Sequence, residues 1–509
     1  MSAGSSSLSD DRASVPPAPF GVGGPFEIDP ALASRLLSIA LAKGGAYADV
    51  FFELNTSAHF VVENGRLIGA SRNVRMGMGV RVRAGDSTGY ASSDTFEWGA
   101  MAHAARTAAT IAGSGASRVT AVLSARAVPA YYDARKATID APGAAKRALL
   151  DRANQAAAAA DRRVCFVEAG LSESVREILV ATSDGRFVRD RQPLLRFGMR
   201  VLIDSEGRRQ EGMSGGGGRT GLDYFATLSP EDHAAEAVRQ ASTMLAAREA
   251  PAGPMPVVLA PGDSGILIHE AVGHGLEADF NWTKSSRYAG KTGQLVASPT
   301  CTIVDDATVH GSRGSINVDD EGNEGRRNVL IEGGRLAGYL HDTRTASDFG
   351  ASPTGNGRRA GYRSPPLPRM TSTLLLGGAH APDEIVGSVK RGLYARRLGG
   401  GQVNIATGAF VFAVSEGYLI EDGRITAPVR GANLIGNGPD VLRRVSLVGD
   451  DLAVSDGVWS CSKNGQNVPV GVGCPTVRIE EMTVGGTRIG APRSAMDPGS
   501  VEPAFADDV

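Results

Sequence analysis

Within six consecutive residues, His269-Glu270-Ala271-Val272-Gly273-His274, this chain of 509 residues brings together two imidazoles and a carboxylate, although it contains eight histidines in all. Neutral imidazoles can hold a divalent cation, and a carboxylate beside a ligand can take a proton from water activated there. The spacing is one residue longer than the metal-binding His-Glu-x-x-His pattern. On an ideal α-helix, at about 100° per residue, the two rings point roughly 140° apart and cannot grip one ion. A local π turn, at about 85° per residue, returns them to within about 65° of a common face. Gly273 relaxes the backbone constraint on that widening.

Such a site needs a third ligand, because catalytic zinc takes three protein ligands and keeps a position open for water. The stretch from Gly457 to Thr476 carries Cys461 and Cys474, and thiolate is a strong soft donor. Spacing alone does not choose between them, and Glu277 and Asp279 are further oxygen candidates. The plainer alternative is a buried helix with hydrogen-bonded histidines, and cysteines acting as small hydrophobes.

The elements around the motif follow from composition. Val257-Val258-Leu259-Ala260 reads as a buried strand, Pro261-Gly262-Asp263-Ser264 as a turn, and Asp263 or Ser264 as the cap of the helix that follows. Residues 1–25, rich in Ser, Pro and Gly without an apolar core, read as a flexible tail, and so do residues 492–509. Residues 26–250 read as an N-terminal α+β domain, an antiparallel sheet covered by helices. Within it Asn64-Gly65-Arg66-Leu67 is echoed by Asp184-Gly185-Arg186-Phe187, which suggests an internal duplication. The glycine run Gly215 to Gly218 lacks the strand, helix and Lys spacing of a phosphate cradle and reads as a mobile loop. Past the breaker Pro251-Ala252-Gly253-Pro254, residues 251–491 read as a mostly β domain, a large curved antiparallel sheet or irregular barrel carrying the metal-binding helix. The fold class is therefore α+β.

A 42% hydrophobic content supports sizeable cores, and a net charge of −2 argues against a surface built for nucleic acid. No apolar run reaches membrane-spanning length, and four cysteines in so long a chain do not make a disulfide framework, so a reducing cytoplasm is expected. Arg358, Arg359 and Tyr362 sit in a basic, Gly-rich loop that could receive a substrate carboxylate or backbone. Gly400 and Gly401 mark the start of a strand where another backbone could come close, which suits a peptide added as a strand. Arg369, Tyr362 and His341 are candidate donors to a transition-state oxyanion.

Several separate blocks resemble the TldD/PmbA family of metalloproteases, specifically its TldD-type, metal-binding branch. They are His269 to Glu277, Pro368-Arg369-Met370-Thr371, Gly399-Gly400-Gly401-Gln402-Val403 with Phe410-Val411-Phe412, and Gly465-Gln466 through Gly473, within a likeness running from about Phe26 to Gly486. The resemblance implies that His269, His274 and Cys461 bind one divalent metal ion, with Glu270 as general base; the imidazole and thiolate donors point to Zn2+, with Fe2+ as the alternative. Cys474 stands where the family pattern has Gln. The family further implies a dimer, either with a PmbA/TldE-type subunit or with a second copy of this chain, that hydrolyses unfolded proteins or peptides. Two other functions fit parts of the pattern: a cysteine hydrolase with Cys461 as nucleophile, and a non-catalytic regulator of the gyrase-modulator kind.

Overall fold

The computed structural model describes residues 18–113 and 120–486; the C-terminal tail and residues 1–17 of the N-terminal tail lie outside it. The N-terminal half is built on long strands: β1 (Tyr47–Glu63), β2 (Arg66–Ala84), β3 (Ser87–Ser93), β4 (Val164–Thr182), β5 (Arg186–Ser205) and β6 (Arg208–Gly218). They form one antiparallel sheet in the spatial order β3-β2-β1-β4-β5-β6. Two type I′-like turns set the hairpin registers, because Asn64-Gly65 and Glu206-Gly207 both have positive φ at their two central residues. The echo in the sequence corresponds to a repeated order of elements: helix α1 (Pro30–Ala40), β1 to β3 and helix α2 (Trp98–Ala112), then helix α3 (Gly143–Ala160), β4 to β6 and helix α4 (Pro230–Leu245). The two sets meet at the β1/β4 pairing.

Strand alternation divides the sheet's faces. Val50 and Phe52 of β1 pack beneath α1 and α2, while Phe51 between them packs on the other face with Ile178, Val188, Val318 and Tyr362. Residues 18–25, read above as tail, join the first of these cores: Phe20 is buried against Phe52 and Phe96. One aromatic ring on a short Pro/Gly segment gives no periodic signal, so the composition misled.

The glycine run is also a correction. Gly215 to Gly218 are paired along β6 with Leu195 to Gly198 of β5 instead of looping out. Bare backbone is needed there because a Cβ on Gly216 would sit 1.9 Å from the Tyr224 hydroxyl, and Gly217 and Gly218 have φ near +150°.

In the C-terminal half the chain runs from β7 (Gly253–Leu259) into the His269 helix, then through β8 (Ile303–Asp306), β9 (Ser372–Leu375), β10 (Arg391–Val403), β11 (Ala409–Glu421) and β12 (Asn433–Asn437). A two-stranded ribbon, β13 (Ser460–Lys463) and β14 (Gln466–Pro469), precedes β15 (Gly471–Cys474) and β16 (Val477–Gly485). Strands β10, β7, β16, β12 and β11 pair in turn, and β11 returns to β10, which closes a five-stranded barrel. Closure removes the free edges of these strands. Strands β8, β9 and β15 belong to a second, smaller sheet. The His269 segment is buried in one core with strands of the barrel and β15. No helix among the described residues is long and apolar enough to cross a membrane.

His233 on α4 gives this fold a pH dependence. Its ring is buried between the Ser214 hydroxyl at 2.8 Å and the Tyr224 hydroxyl at 3.0 Å, and burial pushes its pKa down to about 4. The unfolded chain, with an imidazole pKa near 6.5, therefore binds the extra proton first, so this contribution to stability is intact above about pH 6.5 and is lost as pH falls towards 4. Denaturant titrations at pH 7 and pH 5 are expected to show about 2 kcal/mol more acid loss in the wild type than in His233→Gln. Equal losses in the two proteins would remove the histidine from the account.

Candidate metal centre

The His-Glu-x-x-x-His segment has the distortion that its spacing requires. After an α-helical turn at Ile266–Ile268, residues His269–Gly273 form a π turn and His274–Leu276 a 3-10 turn. The wide turn adds the residue that an α-helix could not accommodate, and the two imidazole centroids lie 5.3 Å apart. Gly273 itself has an ordinary helical φ of −53°, so backbone freedom is not why it is glycine. A Cβ there would lie 1.9 Å from Met370 Sδ. The expected caps are also corrected: Asp263 accepts the Trp459 indole N–H at 3.0 Å, and Ser264 makes no side-chain capping bond.

Each ring is aimed through its Nδ1. Thr373 of β9 lies 3.3 Å from His269 Nδ1, and Glu277 lies 3.1 Å from His274 Nδ1, which leaves both Nε2 atoms to face inward. Second partners of this kind fix ring orientation in metal sites. The third donor comes from the ribbon. Asn464-Gly465, with φ of 51° and 72°, makes its two-residue turn and sets Cys461 opposite Val468. Cys461 Sγ then lies 3.3 Å from His274 Nε2, and the donor atoms of His269, His274 and Cys461 all fall within 4.8 Å of one another. Burial opposes ionising the thiol, but His274 and His269 bring its pKa well below the usual value. Two imidazole nitrogens and a thiolate suit zinc or iron, so the cradle fits a divalent cation.

Glu270 is the partly open member, with Oε2 3.9 Å from His274 Nε2. Burial raises its pKa, opposed by His269 and His274, which favours a carboxylate able to accept and return a proton. Behind the rings, Glu277 is fully buried. Burial alone would raise its pKa, yet Lys463 at 3.1 Å, His274 and Arg369 together hold it down at about 2. Glu277 thus orients a ring and does not join the three converging donors. Asp279, the other oxygen candidate, pairs with Lys463 at 2.8 Å. Cys474 is buried on β15, its thiol 3.6 Å from the Ala260 carbonyl, outside the donor group.

The remaining candidates are dispersed. Arg369, fully buried, donates to the carbonyls of Cys461 and Gln466 and so supports the ribbon from beneath. Arg358 donates to the carbonyls of Met370 and Pro469. Arg359 lies over the Phe51 ring at 4.3 Å and donates to the Tyr90 hydroxyl. Tyr362 donates its hydroxyl to Asp94, and His341 lies 3.3 Å from the Thr345 hydroxyl. Gly400 and Gly401 fall inside β10, not at its start; a Cβ on Gly401 would overlap the Phe412 ring at 2.2 Å, so the close neighbour is a side chain and not a second backbone. Sequence reasoning missed Lys463 and Thr373. The Asn464-Gly465 hairpin turn next to Lys463 was a usable signal; for Thr373 there was none.

The contact between Gly273 and Met370 can be tested by a double-mutant cycle. Gly273→Ala is expected to lose about 1–3 kcal/mol of stability by overpacking, and Met370→Ala to restore part of it in the double variant. Additive losses would show that the two residues do not press on each other.

Comparison with known proteins bears on all three segments of the chain. Residues 48–112 match the PmbA/TldA metallopeptidase domain 1 model, residues 137–245 the central domain, and residues 252–486 the C-terminal domain. A Haemophilus influenzae protein named Metalloprotease TldD homolog is 44% identical over 448 residues, covering 87% of this chain and 93% of that protein. Among solved structures, a Thermotoga maritima protein described as a candidate modulator of a DNA gyrase superposes with a TM-score of 0.73 at 21% identity, covering 89% of this chain and 99% of its own. TldE from Thermococcus kodakarensis gives 0.68 at 20% identity, covering 90% and 99%. At those identities the two structures establish the fold, whereas the three matched models and the Haemophilus relative establish kinship. The chain belongs to the PmbA/TldD family and is a TldD-type metallopeptidase.

Proposed function

We propose that His269, His274 and Cys461 hold one divalent cation, Zn2+ by the character of the donors with Fe2+ as the alternative, and that Glu270 is the general base of peptide hydrolysis. The observation that carries this reading is the convergence of three donor atoms within 4.8 Å beside a partly open carboxylate. A bound divalent cation supplies Lewis acidity, which polarises a peptide carbonyl and makes water a better acid. Glu270 takes the proton from the attacking water and returns it to the leaving amine. Its raised pKa suits the first of these steps, because the carboxylate of a stronger acid would be too weak a base to take a proton from water. Thr373 and Glu277 keep both rings facing the cradle, and Lys463 and Arg369 keep Glu277 ionised while it does so.

The substrate class we propose is the unfolded protein or peptide, whether for turnover or for maturation of a ribosomal peptide. The partner we propose is a TldE-type chain, supported by the likeness of fold to TldE from Thermococcus kodakarensis, with a homodimer as the alternative. A reducing cytoplasm suits four cysteines that are all unpaired. The 3.3 Å contact between Cys461 and His274 is also what a cysteine nucleophile and its base would show. That reading leaves Glu270 and His269 without a role, and it requires activity that survives chelation.

The decisive measurement combines metal content with rate. His269→Ala and Cys461→Ser are expected to lose the bound metal, detected by elemental analysis of the purified protein. Glu270→Gln is expected to keep the metal and lose about 10²- to 10⁴-fold in kcat. Chelation should abolish cleavage, and the added cation should restore it. Full activity of the chelated wild type, or unchanged metal content in both ligand variants, would refute the proposal.

A further inference from the structure

Behind the ribbon, between it and the N-terminal sheet, lies a cavity of about 340 Å3. Arginines dominate its lining: Arg176 is paired with Glu53 and Asp320 and Arg359 with Asp49 at 3.5 Å, Arg75, Arg219 and Arg358 stand beside them, and the acids of the lining are Glu173, Asp319 and Asp320. Those acids are already engaged. Glu173 pairs with Lys146 and Asp320 with Arg176 at 2.8 Å, while Asp319 accepts the main-chain N–H groups of Glu321, Asn323 and Gly357 and burial raises its pKa to about 7, which weakens its negative charge.

Arg219 and Arg358, each 4% exposed, donate instead to main-chain carbonyls: Arg219 to Ser315 and Pro193, Arg358 to Met370 and Pro469. A carbonyl satisfies an N–H but carries no net charge, so these buried guanidiniums are hydrogen-bonded without being neutralised. Burial accordingly pulls Arg358 down to about 9 and lowers Arg219 as well. Arg75, exposed on β2, adds a further positive charge to the same wall. A partly dehydrated hollow holding the charges of Arg219, Arg358 and Arg75 favours an anion, and guanidinium forks match the geometry of a carboxylate.

The cavity is also next to the proposed chemistry. Ser460, Asn467 and Pro469 line it from the ribbon face opposite Cys461, and Val468, the pairing partner of Cys461, reaches it as well. The ribbon that carries Cys461 therefore also forms one wall of the arginine hollow. The volume suits an acidic side chain or a chain terminus, and excludes a folded domain.

We propose that this cavity is a subsite for a carboxylate of the peptide substrate, either the C-terminal α-carboxylate or an acidic side chain a few residues from the scissile bond. The assignment rests on the metallopeptidase reading above, and the test separates the two. Three peptides of one neutral sequence are compared with the metal-loaded protein and its partner subunit: the C-terminal amide, the free acid, and the amide with one Gln replaced by Glu. A KM at least about tenfold lower for the free acid identifies a subsite for the chain terminus, and the same gain for the Glu peptide identifies one for a side chain. The ratio of KM values is expected to fall to within about twofold in Arg75→Ala, a surface change, and in Arg358→Met; because it is taken within each variant, partial loss of folding cancels. Millimolar inorganic phosphate should compete with the acidic peptide alone.

Equal KM values for all three peptides, with the amide cleaved, would overturn the subsite and leave the peptidase standing. Phosphate inhibition of the neutral amide as strong as that of the acidic peptides would mark a site for free anions and also overturn it. Failure of the metal-loaded protein to cleave any of them would overturn both readings.

Discussion

The centre of this molecule depends on one buried carboxylate. Glu277, with no exposed surface, touches His274 Nδ1 and Lys463 Nζ, each at 3.1 Å, and lies 3.8 Å from the Arg369 guanidinium. Arg369 in turn holds the carbonyls of Cys461 and Gln466, one on each strand of the ribbon. The helix that supplies two donors and the ribbon that supplies the third, 187 positions away, thus share this anion, with Asp279 pairing to Lys463 beside it. Removing one partner from a buried ionic cluster typically costs about 3–5 kcal/mol, because the charge left behind stays dehydrated. Small displacements of helix against ribbon are opposed by the same cost, which is why the donor atoms can converge on the strength of protein contacts.

Close packing completes the seat. Gly265 lies against the backbone of Gly473 and Gly438 against the backbone of Ala271, in each case nearer than a Cβ would allow. With Gly273 against Met370, these contacts let the irregular turn lie flush on β15 and the barrel, where an α-helix with ordinary side chains would stand off. An irregular helix exposes backbone groups that need partners. Here Tyr288 donates its hydroxyl to the Ala271 carbonyl, and Asn281 and Ser286 donate to that of Gly275.

The N-terminal sheet contributes charge as well as apolar surface. On the face turned to the C-terminal half, Asp49 pairs with Arg81 at 2.6 Å, Arg81 reaches Glu321 at 2.6 Å, and Arg176 pairs with Glu53 and Asp320. Buried pairs of this kind are weak sources of net stability but costly to misalign, so they fix how β1, β2 and β4 sit on the 319–321 segment. Arg176 of these pairs also lines the hollow behind the ribbon, beside Arg219 and Arg358.

Much of the site could be read in the chain. The spacing of His269 and His274 by itself demanded a π-type turn if both rings were to serve one ion, and Asn64-Gly65 is a dipeptide suited to the hairpin turn it makes, because local stereochemistry leaves few other solutions. The repeated order of N-terminal elements was likewise visible in short matching pieces. Tertiary structure decided what depends on partners far apart in sequence. It brought Cys461 and not Cys474 to the rings, turned Glu277 from a candidate ligand into an orienting group, drew Phe20 into a core, and laid Gly215 to Gly218 into a strand. Local spacing constrains backbone angles over a few residues, whereas the direction a buried side chain faces is set by the register of strands and the packing of helices, which no short stretch of sequence contains.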